Sequence, residues 1–167
     1  KDEGITWSTP VDITTMTKQA EWTETGHGPG LGIQTRSGRL VIPCYETKPV
    51  GGKWGTSWNF IIYSDDHGKT WQLGGSTLTD QVNECAVVEL PDGRLLLNMR
   101  NYDRRQKHRA VSISKDGGMT WSAVTHDAVL IEPICQAGFL RYTDDRRHDK
   151  NRLVFSNPAS TDSREKM

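Results

Sequence analysis

"SDDHGKTW" at Ser64–Trp71 returns fifty residues later as "SKDGGMTW" at Ser114–Trp121. The shared positions are Ser64 and Ser114, Asp66 and Asp116, Gly68 and Gly118, Thr70 and Thr120, Trp71 and Trp121. Each octet follows a short apolar run, "FIIY" at Phe60–Tyr63 or "AVSI" at Ala110–Ile113, and precedes more residues of strand type. The pattern predicts a hairpin connection. Within it the Asp carboxylate can accept N–H groups of its own turn. Gly permits a positive φ, Thr restarts the strand, and Trp offers a large ring for burial between strands. Nothing in the octet supplies a nucleophile or a metal cage, so it reads as a fastener. "KDEGITW" opens the chain inside a third copy, with Asp2, Gly4, Thr6 and Trp7 at matching spacing. A chain that starts within a motif and lacks an initiator Met is expected to be a piece of a longer protein.

Working outward, a second repeat precedes each complete fastener. "GIQTRSGRLVIPCYE" (Gly32–Glu46) turns at Ser37-Gly38, and "VVELPDGRLLLNMRN" (Val87–Asn101) turns at Pro91-Asp92-Gly93. Both are apolar strand, Gly turn, apolar strand, the signature of a β-hairpin. "AGFLRYTDDRRHDKNRLVFSNPAS" (Ala137–Ser160) offers a third hairpin, with a charged connection at Asp144–Asn151. The unit is therefore a hairpin followed by two strands joined through the fastener. Four antiparallel strands recurring about every 50 residues predict an all-β propeller in which this chain supplies about two full blades plus flanking strands. Blade boundaries are expected near 31–75, 84–124 and 135–167. A β-sandwich is the competing all-β architecture, but it gives no reason for a fastener at one fixed place in every repeat. An open arc leaves blade faces uncovered and is expected to be poorly stable alone.

Composition narrows the function classes. Among 167 residues, 21 are basic and 21 acidic, so no cationic field recommends nucleic acid as a partner. No apolar run approaches the roughly 18 residues of a membrane span. Sixteen Gly, seven Pro and six Trp between short apolar runs agree with all-β structure. Cys44, Cys85 and Cys135 are an odd set without a C-x-x-C pair, which disfavours zinc and gives no disulfide framework. Cys44 and Cys135 sit in apolar surroundings and read as buried free thiols.

The octets match S-x-D-x-G-x-T-W, the Asp box, and the segments between them carry a closer resemblance. "GHGPGLGIQ" (Gly26–Gln34), "NECAVVELPDGRLLLNMRN" (Asn83–Asn101) and "LVFSNPASTDSR" (Leu153–Arg164) resemble, in order, successive segments of bacterial and lysosomal-type sialidases. That resemblance implies a six-bladed propeller, exo-α-sialidase activity with retention, sialylated glycans as partners, and neither metal nor cofactor. It implies that Glu84 activates a tyrosine nucleophile and that Arg100 and Arg164 are two members of an arginine triad. The family's first arginine, its acid/base aspartate and its nucleophilic tyrosine have no counterpart in this chain. None of the four Tyr stands in the nucleophile's motif, so the chain by itself is expected to be inactive. Asp2, Asp66, Trp71, Asp116 and Trp121 remain structural in this scheme. Gln34, a candidate substrate contact, and His27 lie in a Gly-rich stretch that reads equally well as a loop needing Gly for its backbone shape.

The implied chemistry suits the residue types. Sialic acid bears a carboxylate on its anomeric carbon, and guanidinium groups can fork onto it through paired hydrogen bonds. A carboxylate nucleophile would meet that anion with repulsion, whereas a phenol does not. A phenol titrating near pH 10 needs a base within reach, the role implied for Glu84. A non-catalytic Asp-box propeller binding carbohydrate or protein is the alternative, distinguished by whether the parent carries the missing catalytic groups.

Overall fold

The computed structural model describes residues 2–51 and 53–165, with the side chains of residues 49, 50, 53 and 54 left aside. The described residues are all-β apart from one helical turn, α1 (Thr14–Thr17). Three antiparallel sheets follow one another in chain order. The first holds β1 (Glu24–His27), β2 (Ile33–Gln34), β3 (Leu40–Val50), β4 (Lys53–Ser64) and β5 (Gln72–Ser76), in the order β1-β3-β4-β5 with β2 also on β3. The second runs β6 (Val82–Glu89), β7 (Leu95–Asn101), β8 (His108–Ser114) and β9 (Thr125–Ile131) in sequence order. The third is the pair β10 (Gly138–Thr143) and β11 (Arg152–Ser156). Among the described residues no helix is long and apolar enough to cross a membrane.

All three hairpins form where the turn residues place them, and each complete octet joins the third and fourth strands of its sheet. One element was not legible. The innermost strand of the first sheet is broken: β1 pairs with Glu46 and its neighbours, β2 pairs with Leu40 and Val41, and residues 28–32 leave the ladder between them. They leave it to reach the second sheet, where Cys85 N–H donates to Gly28 O and Gly30 N–H donates to Cys85 O, both at 3.1 Å. A Cβ on Gly30 would stand 2.4 Å from that Cys85 carbonyl, so backbone approach, not ligand binding, requires this glycine.

Alternating side chains of each strand enter two different cores. Cys85 and Val87 of β6 pack with Val41, Ile61, Leu95, Leu97 and Met99 between the first and second sheets. Ala86 and Val88 pack with Phe139, Leu96 and Phe155 between the second and third. Trp22, Cys44, Phe60 and Ile62 form a further cluster beneath Ile13 and Trp71. A strand buried on both faces reads as a continuous apolar run, which is why "CAVVEL" and "RLLLNM" show little polar alternation. Cys44 and Cys85 are buried thiols; burial pushes Cys44 up to about 12 and Cys85 well above its usual range, leaving both inert. Cys135 is only half-buried, because it lies in the connection before β10 and not in a core.

The two complete fasteners are near copies atom for atom. Ser64 Oγ donates to Asp66 Oδ1 at 2.8 Å and accepts Gly68 N–H at 2.8 Å; Asp66 accepts Thr70 N–H at 2.9 Å and the Thr70 hydroxyl at 2.7 Å. The Ser114, Asp116, Gly118 and Thr120 contacts measure 2.8, 2.8, 2.9 and 2.6 Å. In the opening copy Asp2 accepts both the N–H and the hydroxyl of Thr6. Two successive left-handed residues shape each turn, His67-Gly68 and Gly117-Gly118. The second fastener also latches backward onto the first sheet. Gly75 N–H donates to Gly118 O at 2.8 Å, Trp121 Nε1 donates to Gly75 O at 3.1 Å, and Arg39, forked onto Asp65, donates to Gly117 O at 3.1 Å.

A Cβ on Gly75 would lie 2.2 Å from Met119 O, so Gly75→Ala should destabilise the protein by about 1–3 kcal/mol in urea unfolding. The fastener carboxylates also set an acid limit. Asp66 and Asp116 are both held near a pKa of about 2 instead of 3.8, Asp66 chiefly by Thr70 N–H and Asp116 chiefly by the Thr120 hydroxyl. Groups depressed on folding contribute stability above their ordinary pKa and lose it as pH falls toward the folded value. Thermal midpoints should therefore drop between pH 4 and 2, and Asp116→Asn should make that drop shallower than in the wild type.

Candidate functional site

Glu84 stands at the start of β6 and Arg100 at the end of β7, the ends of the sheet opposite the fastener. Their pairing is irregular. Val82 opposes Asn101 and Cys85 opposes Met99, so Asn83 and Glu84 together face Arg100 across a bulge. A bulge turns one side chain out of the strict alternation. Here Asn83 is buried while Glu84 meets Arg100, Oε2 to Nη1 at 2.5 Å, with side chains 25% and 13% exposed.

Arg100 is fixed on a second side. Its guanidinium carbon lies 4.7 Å from the centroid of the Tyr102 ring, a cation–π contact, and the Tyr102 hydroxyl accepts from Asn83 Nδ2 at 3.3 Å. Among the described residues only Nη1 of Arg100 has a hydrogen-bond acceptor, which leaves donors of a planar fork uncommitted. Asn59 supports the same rim from the first sheet. Fully buried, it donates to Cys44 O at 3.1 Å and to Asn83 O at 2.5 Å, tying the two sheets together one residue from Glu84. Tyr45 completes the wall. Its phenol is pushed up, first by burial and then by the charge of Glu84, away from the phenolate form. Gly26, opposite Tyr45 on β1, leaves the ring its space, since a Cβ there would stand 2.2 Å from ring atoms.

Arg164 lies in the segment after β11, exposed, with Nη2 donating to Ile134 O at 3.0 Å; it forms no hydrogen bond or ion pair with Glu84 or Arg100. The segment is nevertheless tied to the loop after Arg100, through Arg104 Nη2 to Thr161 O at 2.6 Å and Lys107 Nζ to Asp162 Oδ1 at 2.5 Å. Gln34 is placed elsewhere. It sits at the fastener end of the first sheet, donating to Gly38 O at 3.2 Å, and lines a cavity of about 390 Å³ with Val88, Phe139 and Arg141. The reason is the strand break: residues 28–32 cross to β6, and by Gln34 the chain has returned to the far end of β3. His27 is exposed at the end of β1. Asp2, Asp66, Trp71, Asp116 and Trp121 all lie in fasteners, remote from this rim.

Tyr45, Tyr102 and Asn59 carry no signal as site residues in the sequence beyond one hint, the glycine at position 26 inside a strand. Among the described residues no cluster of three His, Cys, Asp or Glu could hold a metal ion. A cleft of about 910 Å³ lies between the two fasteners, but its guanidiniums are committed, Arg39 to Asp65 and Arg36 to Asp144 and Pro91 O. Glu46 is a buried carboxyl, pushed up by burial; it lies on β3 next to Tyr45 and so faces the other side of the sheet from the rim. The Glu84–Arg100 rim joins a part-exposed carboxylate to a guanidinium that has donors to spare and an aromatic ring beneath it. Such a pair can recognise an anion and accept a proton. Asn59→Leu, which strips donors from two buried carbonyls at this rim, should cost about 1–3 kcal/mol of stability, measured by urea unfolding.

Comparison with known proteins bears on what the rim serves. A family profile described as "BNR repeat-like domain" matches residues 1–160. A sialidase of Bacteroides fragilis is 37% identical over 171 residues, covering 98% of this chain and 29% of that protein. The solved Hadza microbial sialidase Hz136 superposes with a TM-score of 0.84 at 36% identity, over 96% of this chain and 30% of its own. The Trypanosoma rangeli sialidase in complex with the inhibitor DANA superposes with a TM-score of 0.71 at 27% identity, over 92% of this chain and 25% of its own. The chain thus spans less than a third of the length of each of these proteins.

Proposed function

The chain belongs to the BNR repeat-like domain family and has sialidases as homologues, and from that membership and the Glu84–Arg100 pair we propose that it is part of a retaining exo-α-sialidase acting on terminal sialic acids of glycoconjugates. Its sheets are successive blades of a six-bladed propeller, two of them nearly whole. The flanking blades bring the remaining catalytic groups, among them a tyrosine nucleophile outside this chain. The observation that carries the reading is the bulge that brings a half-exposed Glu84 onto an Arg100 braced by Tyr102.

In this reading Arg100 and Arg164 take the substrate carboxylate, each through N–H donors in a plane. The phenol oxygen bonds to the anomeric carbon as its proton passes to the Glu84 carboxylate. The glycosidic C–O bond breaks, and the leaving oxygen takes a proton from an acid supplied by another part of the protein. Water then attacks the same carbon with the phenol as leaving group, so the configuration is retained. Tyr45 lacks both the motif and the protonation tendency of a nucleophile and forms part of the pocket wall.

In the complete polypeptide that carries this chain, Glu84→Gln should lower kcat for 4-methylumbelliferyl sialoside by about 10²–10⁴-fold with an unchanged unfolding midpoint. Arg100→Lys should weaken DANA binding by about tenfold or more, because the fork is lost while the charge stays. Near-normal turnover by Glu84→Gln would remove Glu84 from the chemistry. A wild-type polypeptide that binds sialosides without turnover would make this a carbohydrate-binding domain.

A further inference from the structure

Among the described residues the largest fully buried side chain is charged. Arg109 of β8, 1% exposed, pairs with Glu132, 0% exposed, at 2.5 Å. Such a pair is a weak source of stability: replacing both members by apolar groups is often neutral, whereas deleting one strands a buried charge. Its contacts show what else it holds. Arg109 Nε donates to Asn98 Oδ1 at 2.7 Å, and Nη1 donates to Cys135 O at 2.6 Å as well as to Glu132. The other Glu132 oxygen accepts Asn101 N–H at 2.6 Å, and Glu132 N–H donates to Lys107 O at 3.1 Å.

Two of these contacts, to Asn101 N–H and to Cys135 O, lead to residues of the candidate site. Asn101 follows Arg100 directly. Its side chain gathers the loop beyond, donating to Gln106 O at 2.8 Å and His108 O at 3.1 Å while accepting Asp103 N–H at 2.8 Å. That loop carries Tyr102, the ring beneath Arg100, and it grips the last segment through Arg104 and Lys107, two residues short of Arg164. On the other side, Cys135 O is held by Arg109, and the preceding carbonyl, Ile134 O, is held by Arg164. Ile134 has φ +53°, a strained value for a β-branched residue, and it persists where surrounding contacts over-determine it. Guanidiniums thus grip the carbonyl of the strained residue and the carbonyl of the one after it.

We infer that Arg109 and Glu132 are positioning residues: through Asn101 they set Arg100, and through the Ile134–Cys135 carbonyls and the 101–107 loop they set Arg164, so that the guanidinium on β7 and the one in the segment after β11 stay aligned for one carboxylate-bearing sugar. The inference rests on the sialoside reading of the site. Neither residue touches substrate. Their effect is on binding geometry, where small displacements of a polar clamp are expensive.

The test uses the complete polypeptide, with DANA titrated calorimetrically and sialoside hydrolysis followed in parallel. Arg109→Met with Glu132→Leu removes both charges together and avoids an orphaned ion. It should weaken DANA binding about tenfold or more and raise KM more than it lowers kcat, as loss of uniform binding does. Arg109→Met with Glu132→Gln restores an acceptor for Asn101 N–H and should recover part of the affinity, which a merely structural role does not predict. On an Arg100→Lys background the Met/Leu pair should add much less than it does alone, since both act through the same guanidinium. A folded Met/Leu variant that binds DANA like the wild type, while Arg100→Lys binds weakly, overturns the inference and leaves the sialoside reading intact. A wild-type polypeptide blind to DANA sinks both. Should the Met/Leu pair fail to fold, the surface variant Arg104→Ala with Lys107→Ala takes its place. It should weaken DANA several-fold with little change in thermal midpoint, and unchanged affinity there overturns the inference.

Discussion

Every described sheet of this chain has side chains to bury on both faces, and that constraint shapes the rest. β6 sends Cys85 and Val87 one way and Ala86 and Val88 the other, so the second sheet is stable only with a neighbour on each side. Side-by-side packing alone would leave the sheets free to slide. The Asp-box turns remove that freedom, because Gly118 and Trp121 bond to Gly75 of the preceding sheet at a point where a Cβ would already collide. Registration at the fastener end in turn decides what meets at the other. The inner strand ends of successive sheets are brought to a common rim, where Asn59 of the first sheet reaches Asn83 of the second.

At that rim the chemistry depends on departures from regular structure. A perfect β6–β7 ladder would alternate Asn83 and Glu84 onto opposite faces; the bulge opposes both to Arg100 and makes the ion pair. The same logic recurs in the break between β1 and β2, which lets Gly28 and Gly30 bond to Cys85, and in the left-handed Ile134 before β10. These irregularities cluster on the site side, while the fastener side repeats almost identically from sheet to sheet.

That contrast explains what the sequence disclosed. Hairpins and fasteners are local, written in Gly, Asp and Thr at fixed offsets, and they were legible together with the all-β class. The Glu84–Arg100 partnership was legible through resemblance, since the two residues lie sixteen apart on strands joined by a readable turn. The place of Gln34 at the fastener end was not legible, because it depends on a strand break caused by contacts with another sheet. Tyr102 and Tyr45 owe their place to register across strands, which no local pattern encodes. Arg109 and Glu132 were invisible: in sequence each resembles a solvated charge, and only burial sets them apart.

The latch between sheets points one way along the chain. The fastener of the second sheet closes onto β5 of the first, a strand made earlier, and asks nothing of residues still to come. Trp7, in the corresponding place of the opening copy, is 88% exposed. A polypeptide built this way suits vectorial synthesis. As each turn leaves the ribosome its docking strand is already waiting, so the sheets can be joined one after another from the amino end.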